Sequence, residues 1–252
     1  MENQEFYVRN GQSWESNRVP VLDEDSFRQK ILQECSQGAR LVNLFACLPD
    51  RQAQLEDSKN IKIFAMLGKD QEGKLLIFSM QIPVEKASFQ SLTPAIPQAH
   101  MFEREIAEQF AVTPVGHPWL KPLRYHENYR RVLDLWPEVS TKPIPGVYPF
   151  YRVEGEEVHE VAVGPVHAGI IEPGHFRFQC HGEEILNLEI QLGYQHRGIE
   201  KMMEEISSEM AVLLAESIAG DTVMGHVIAY CNIIESLSDC EISPRAEVIR
   251  AI

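Results

Sequence analysis

Three stretches of the chain concentrate side chains that can do chemistry. In Gly164-Pro-Val-His-Ala-Gly-Ile-Ile-Glu-Pro-Gly-His-Phe-Arg-Phe178, His167, Glu172 and His175 place two imidazoles and a carboxylate within nine residues. Imidazoles that exchange protons near neutrality, with a carboxylate beside them, can relay protons and hydrogen-bond a polar headgroup. Gly169 and Gly174 let the loop bend through dihedrals that cost other residues more. In Gly193-Tyr-Gln-His-Arg-Gly-Ile-Glu-Lys201, His196 and Arg197 set an imidazole beside a permanent cation. Such a pair can hold or bias a nearby anionic group. The third stretch, Glu216-Ser-Ile-Ala-Gly-Asp-Thr-Val-Met-Gly-His226, carries two further proton-relay candidates in Glu216 and His226. Each group has a plainer reading. The loop imidazoles can satisfy buried backbone at a turn, Arg197 can pair with Glu200 or another surface acid, and Glu216 and His226 can be ordinary polar groups of a helix.

The elements that must position these groups fall into two halves. Asp23-Glu-Asp-Ser26 is a helix start, followed by Phe27, Ile31 and Cys35 at helical spacing, with Gly38 as a stop. Strand-like runs follow at Leu41–Leu48, Ile61–Leu67 and Leu75–Ile82, with Lys69-Asp-Gln-Glu-Gly73 as a turn. A helix carrying Phe102, Ile106 and Phe110 on one face closes this half. From Thr113 to Phe150 prolines recur, and a proline lacks a backbone donor, so an extended connector that wraps a neighbour is expected. Beyond it, Phe176, Phe178 and Cys180 alternate with polar residues, as do Leu186, Leu188 and Ile190, which predicts a hairpin turning at His181-Gly182. Two helical stripes follow, Met203 to Ser217 and Met224 to Leu237, read as packing core with a break at Gly220-Asp221. A last helix, Pro244 to Ile252, shows no stop signal, so either a partner completes it or this segment is truncated from a longer protein.

The motifs resemble those of a known family. Gly164–Phe178 with Gly193–Lys201 is similar to the large subunit of membrane-bound, energy-converting nickel–iron hydrogenases of the formate hydrogenlyase type, and to the quinone-site subunit of respiratory complex I. Independently, Phe102-Glu-Arg-Glu-Ile-Ala-Glu-Gln-Phe110 with Gly116-His-Pro118 resembles the signature of the small peripheral-arm subunit of complex I, with Glu108 in place of an Asp and Ala111 in place of a Gly. The two signatures in this order look like a fusion of both modules, covering nearly the whole chain from about Asp23. The resemblance implies an α+β chain: residues 1–112 a peripheral-arm-like α/β sandwich, 113–152 a Pro-rich connector, and 153–252 the hairpin-led, mainly helical start of a hydrogenase large-subunit-like domain. It also places His196 and Arg197 near a four-iron–four-sulfur cluster held by a separate small subunit.

The third stretch then departs from its pattern. Glu216, Gly220 and His226 keep their places in E-R-x-C-G-x-C-x-x-x-H, but Ala219 and Thr222 stand where thiolates would bind nickel and iron. Soft thiolates suit these metals; alanine has no donor and a threonine hydroxyl is hard. No nickel–iron centre is therefore expected, and no cofactor bound by this chain alone. The expected role is an oxidoreductase subunit, inactive in isolation, that passes electrons from the partner's cluster to a quinone-like acceptor with proton uptake. Its partners would be the Fe–S subunit and membrane subunits of the same complex. A non-catalytic scaffold and a divergent hydrogenase are the alternatives.

Bulk properties set the remaining bounds. A formal net charge of −14 argues against nonspecific binding to nucleic acid or anionic lipid. No apolar run of about 18 residues exists to span a bilayer, and the N-terminus lacks the basic start and apolar middle of a signal peptide. The expected location is cytoplasmic, peripheral on the membrane. The five cysteines form no CxxC pair, and the expected reading of Cys231 and Cys240 is buried small apolar residues of a helical region.

Overall fold

The computed structural model describes residues 6–48, 59–125, 128–130 and 148–252. Much of the Pro-rich run, including Pro137, Pro143 and Pro145, therefore lies outside the described residues. In the first half, strands β1 (Tyr7–Val8), β2 (Val21–Leu22), β3 (Arg40–Cys47), β4 (Asn60–Lys69) and β5 (Lys74–Pro83) build one sheet. Its order is β1-β5-β4-β3, with β2 added parallel to β5. The β4–β5 hairpin turns at Asp70–Gly73, where Gly73 takes a φ of 62°. Helix α1 (Glu24–Ser36) starts where Asp23 accepts a hydrogen bond from the Ser26 amide at 2.9 Å. It lays Phe27 and Ile31 on the sheet, with Phe27 meeting Phe78 edge to face at 5.3 Å. At its far end the buried Glu34 pairs with Lys69 at 2.9 Å, and that pairing pushes the Lys69 ammonium above its usual range.

Short strands β6 (Ser88–Gln90) and β7 (Thr113–Val115) pair in parallel and flank helix α2 (His100–Phe110). Helix α2 is buried on nearly every side. Ile106 and Phe110 enter the core, while Glu103, Arg104 and Glu108 are also buried. These charges satisfy backbone that has no ladder of its own. Glu103 accepts from Ser91 Oγ, the Leu92 amide and Thr93 Oγ1, each at 2.6 Å. Arg104 donates to the carbonyls of Lys121 and Pro122 at 2.8 Å. Glu108 accepts from the amides of Leu123, Arg124 and Tyr125 at 3.1, 2.7 and 2.7 Å. Three residues of the α2 signature thus grip the chain on either side of them.

The described connector residues reach across to the second half. Lys121 Nζ lies against the rings of Trp119 and Tyr148 and bonds Glu189 at 2.6 Å and the Pro149 carbonyl at 2.5 Å. Strands β8 (Val158–Val163), β9 (His175–His181) and β10 (Glu184–Gln191) form an antiparallel sheet of order β10-β9-β8. The expected hairpin is present, with its turn one residue later than expected, at Gly182-Glu183, since His181 still pairs with Glu184. Its buried side is the polar one: Glu189, Gln191, Gln179 and His175 face inward, whereas Val161, Leu188 and Ile190 are more than a third exposed. Gly193, at a φ of +104°, lies so close to the connector that a Cβ would meet the Leu123 carbonyl at 2.5 Å.

The helical part corrects two expectations. The single stripe Met203 to Ser217 is two helices, α3 (Ile199–Glu205) and α4 (Ser208–Glu216), because Ile206 and Ser207 are extended and Ser207 stands at the start of α4. The break expected at Gly220-Asp221 is present: Ala219 is extended, Gly220–Thr222 is a tight turn, and α5 (Val223–Ser238) begins beyond it. The segments Glu209–Glu216 and Gly220–Ser238 meet at 111°. Cys240 lies past α5 and is exposed, and Cys231 is half-buried, so neither is a buried apolar residue. Helix α6 (Pro244–Arg250) is capped by Ser243 at 3.3 Å and tied to α5 by Arg250 and Glu235. Among the described residues no single helix is long and apolar enough to cross a membrane.

Two outcomes test this account. Ala111, which ends α2, sits at a φ of 49°, where a side chain costs roughly 1–2 kcal/mol. Ala111→Gly therefore raises stability by about 0.5–1 kcal/mol, the relief being partly offset by the greater freedom of glycine in the unfolded chain; urea unfolding measures it. The second concerns His117, whose Nδ1 accepts from the Trp119 amide at 3.0 Å while Nε2 donates to the His100 carbonyl at 3.3 Å. Burial above all holds its pKa below the usual value of 6.5, with Arg104 adding to this and the His100 bond and Glu103 opposing it; burial lowers His100 likewise. The unfolded chain takes up these protons first, so stability is fully present above about pH 6.5 and falls as pH drops below it. Glu105, raised chiefly by burial, works against this trend. The drop in Tm from about pH 7.5 to 5.5 is therefore expected to be smaller in His117→Gln than in the parent.

Candidate functional site

The loop between β8 and β9 folds back on itself through its two imidazoles. His167 Nε2 lies 2.7 Å from the Gly174 carbonyl, and His175 Nδ1 lies 3.2 Å from the Gly164 carbonyl. The Gly174 amide adds a bond to the Pro165 carbonyl at 3.1 Å. The two histidines thus strap opposite ends of the loop together. Gly164, at a φ of +85°, fits between them only because it has no side chain: a Cβ would meet the Gly174 carbonyl and stand 2.6 Å from His167 Nε2. The His167 ring also meets Phe176 edge to face at 5.6 Å.

His175 is buried and surrounded on its other side by residues that the sequence pattern did not single out. Arg177 Nε donates to His175 Nε2 at 3.2 Å, and the same guanidinium pairs with Glu160 on β8. Phe150, from the connector, lies beneath the Arg177 guanidinium at 4.4 Å and meets the His175 ring at a tilt, 5.3 Å away. The signal for Arg177 was present in the spacing: two residues beyond His175 on a strand, it shares that residue's face. Phe150 had no such signal, because it comes from a distant stretch of chain.

The remaining candidates do not join this pair. Glu172 is exposed at the loop, Glu216 is exposed at the end of α4, and His226 is half-buried in the first turn of α5. None of the three makes a side-chain hydrogen bond or ion pair among the described residues. His196 is half-buried, and Arg197 donates to the carbonyls of Ser217 and Ile218, the latter at 3.1 Å. Arg197 therefore holds the chain just ahead of Ala219. Glu200 is not its partner; that carboxylate pairs with Arg124, which also holds Glu105 at 3.0 Å.

Two positions of the metal motif lack soft donors. At Ala219 there is no donor atom, and Thr222 offers only a hydroxyl. Among the described residues no three His, Cys, Asp or Glu side chains are grouped so as to hold a metal ion. What the loop does supply is a rigid mount for two imidazoles. Gly164→Ala is expected to break both straps and to lower stability by about 1–3 kcal/mol, with faster hydrogen exchange at the Gly174 amide as the local readout.

The chain is similar to several known proteins. Residues 29–137 match the family described as respiratory-chain NADH dehydrogenase, 30 Kd subunit. The chain is 31% identical over 194 residues to hydrogenase-4 component G of Escherichia coli (strain K12), covering 70% of this chain and 34% of that one. It is 30% identical over 191 residues to formate hydrogenlyase subunit 5 of the same organism, covering 69% and 32%. It is 25% identical over 190 residues to the C/D subunit of NADH-quinone oxidoreductase from Bacteroides thetaiotaomicron, covering 67% and 36%. Among solved structures, a trypsin-resistant fragment of Nqo5 is similar over 40% of this chain and 80% of that one, at 22% identity and a TM-score of 0.33. The chain spans about a third of the length of the curated relatives it matches. It is related to the formate hydrogenlyase-type hydrogenase subunits and to the C/D subunits of complex I.

Proposed function

We propose that this chain is a subunit of a membrane-associated oxidoreductase complex in which electrons from an iron–sulfur cluster of a partner subunit reach a quinone-like or other acceptor, with proton uptake. The observation that carries the reading is a retained polar mount in a chain whose metal positions are unable to ligate: His167 and His175 are fixed by reciprocal bonds, while Ala219 and Thr222 replace soft donors. The partner cluster would supply one-electron chemistry. The chain's own residues would hold a headgroup and move protons, His167 and His175 at the loop, with Glu172, Glu216 and His226 as relay candidates. His196 and Arg197 would lie toward the cluster.

The open apolar faces of β8–β10 and of α4–α6 support an assembled state, since patches such as Leu188, Ile190, Met210, Leu213, Met224 and Leu237 are rarely left in water. The location in this reading is peripheral, on the cytoplasmic side of the membrane. Residues 1–112 would form the peripheral-arm-like module, 113–152 the connector, and 153–252 the start of the large-subunit-like module. One observation favours a second reading, a non-catalytic scaffold: three of the five proton-relay candidates stand apart from the imidazole pair.

Photolabelling of the assembled complex with a quinone analogue, combined with His167→Asn/His175→Asn, separates the two. Labelling on this chain and loss of turnover in the double variant are expected; labelling confined to other subunits with turnover intact favours the scaffold. Stoichiometric nickel anchored to this chain would overturn both.

A further inference from the structure

Two cations and three aromatic rings form one continuous column between the connector and β9. Lys121 Nζ lies 4.1 Å from the centre of the Trp119 ring and 4.9 Å from that of Tyr148. Tyr148 meets Phe150 at 4.8 Å, and the Arg177 guanidinium closes the column 4.4 Å from the Phe150 ring. A ring face attracts a cation, more strongly where water is excluded. The first cation also grips backbone. Lys121 Nζ donates to the Pro149 carbonyl at 2.5 Å and to Glu189 Oε1 at 2.6 Å, while Glu189 Oε2 accepts from the Tyr151 amide at 2.8 Å. The ion pair thus holds the peptide group on each side of Phe150. Peptide groups are planar, so fixing both leaves the intervening residue no free φ or ψ, and the direction of its side chain is set. The clamp is shielded from water, with the Lys121 side chain 14% exposed and that of Glu189 3%, and charge-assisted bonds of this kind are the strong ones. At the other end of the column, Arg177 pairs with Glu160, which is 31% exposed, and an exposed ion pair holds a geometry weakly. The ring beneath Arg177 is its firmer support.

We infer that Lys121 and Glu189 are positioning residues: their buried clamp on the backbone around Phe150 sets the ring on which Arg177 rests, and so maintains the bond from Arg177 Nε to His175 Nε2. That bond spans 3.2 Å, and it holds only while the guanidinium stays in place. A lysine of the connector, itself fixed by helix α2 through the Arg104 bond to its carbonyl, thereby governs a histidine of the second half through intervening side chains. The inference concerns how His175 is held and stands whatever group the loop meets.

The test is nitrogen-15 NMR of the full chain labelled at arginine and histidine, with signals assigned by Arg177→Met, His167→Asn and His175→Asn. The clamp is removed as Lys121→Met/Glu189→Leu, because deleting one charge alone would leave the other buried and unpaired. Pro149 and Tyr151 are exposed, so their freed backbone groups turn to water. Hydrogen exchange at Arg177 Nε is expected to quicken at least about tenfold in this variant and in Phe150→Leu. The His175 Nε2 signal moves in both, and the His167 signals stay where they are. Phe150→Leu added to the clamp variant produces no further change, since both act through the same ring. An unchanged Arg177 and His175 in the clamp variant overturns the inference. So do a further loss when Phe150→Leu is added, and an equal disturbance of His167, which would make the clamp a general support of the loop. The parent chain supplies a check that needs no variant: the Tyr151 amide is protected from exchange although its residue is exposed, and rapid exchange there overturns the clamp. These readouts use neither ligand nor partner, so their failure is distinct from a photolabelling result that places the quinone elsewhere in the complex.

Discussion

The fold depends on one constraint: an extended, proline-containing segment must have its backbone groups satisfied while it crosses a protein surface. Such a segment has no ladder and no helix to do this, and burying unpaired amides and carbonyls is costly. Helix α2 meets the need with side chains. Glu108 takes the amides of residues 123–125, and Arg104 takes the carbonyls of 121 and 122. Bonds to an ionised partner are stronger than neutral ones, so they offset the cost of burying the carboxylate and the guanidinium. Once the backbone is fixed, its side chains become reliable anchors. Lys121 holds Glu189 on β10, Arg124 holds Glu200 on α3, and Tyr125 accepts from Gln191 at 2.9 Å. Position is thus passed from the first half to the strand that precedes His196 and Arg197.

This arrangement explains why the sheet β8–β10 is polar inside and apolar outside. Its inner face meets a connector held by ion pairs, so Glu189 and Gln191 are the residues that fit there. Alternation along a strand identifies two faces but not which one is covered, and here the ordinary assumption that the apolar face is inward fails. The same reasoning applies to α2. Its apolar positions Ile106 and Phe110 were legible as core from their spacing, whereas the burial of Glu103, Arg104 and Glu108 was not, because it depends on backbone groups up to 18 residues away in sequence.

What was legible elsewhere followed the strength of local signals. Helix α1 has a capping aspartate and a clear stripe, and β3 to β5 are runs of β-branched and aromatic residues bounded by turns. The break between α3 and α4 escaped the stripe, since apolar spacing continues through Ile206 while the backbone does not. Ser207 carried the signal for it, as a residue type that favours the start of a helix. For the loop, spacing brought out His167 and His175 but left their partners unseen; Phe150 reaches His175, and Glu160 reaches Arg177, only through pairing in three dimensions.

The segment around Ala219 is held by bonds that do not depend on the side chain it carries. Arg197 grips it through the carbonyls of Ser217 and Ile218, and a backbone carbonyl is the same group whatever side chain its residue bears. Exchanging donors at positions 219 and 222 therefore leaves these bonds unchanged. Ala219 is extended, and the tight turn Gly220–Thr222 follows it. The loop holding His167 and His175 and the anchor made by Arg197 are thus fixed by bonds to backbone carbonyls, independent of the side chains at positions 219 and 222.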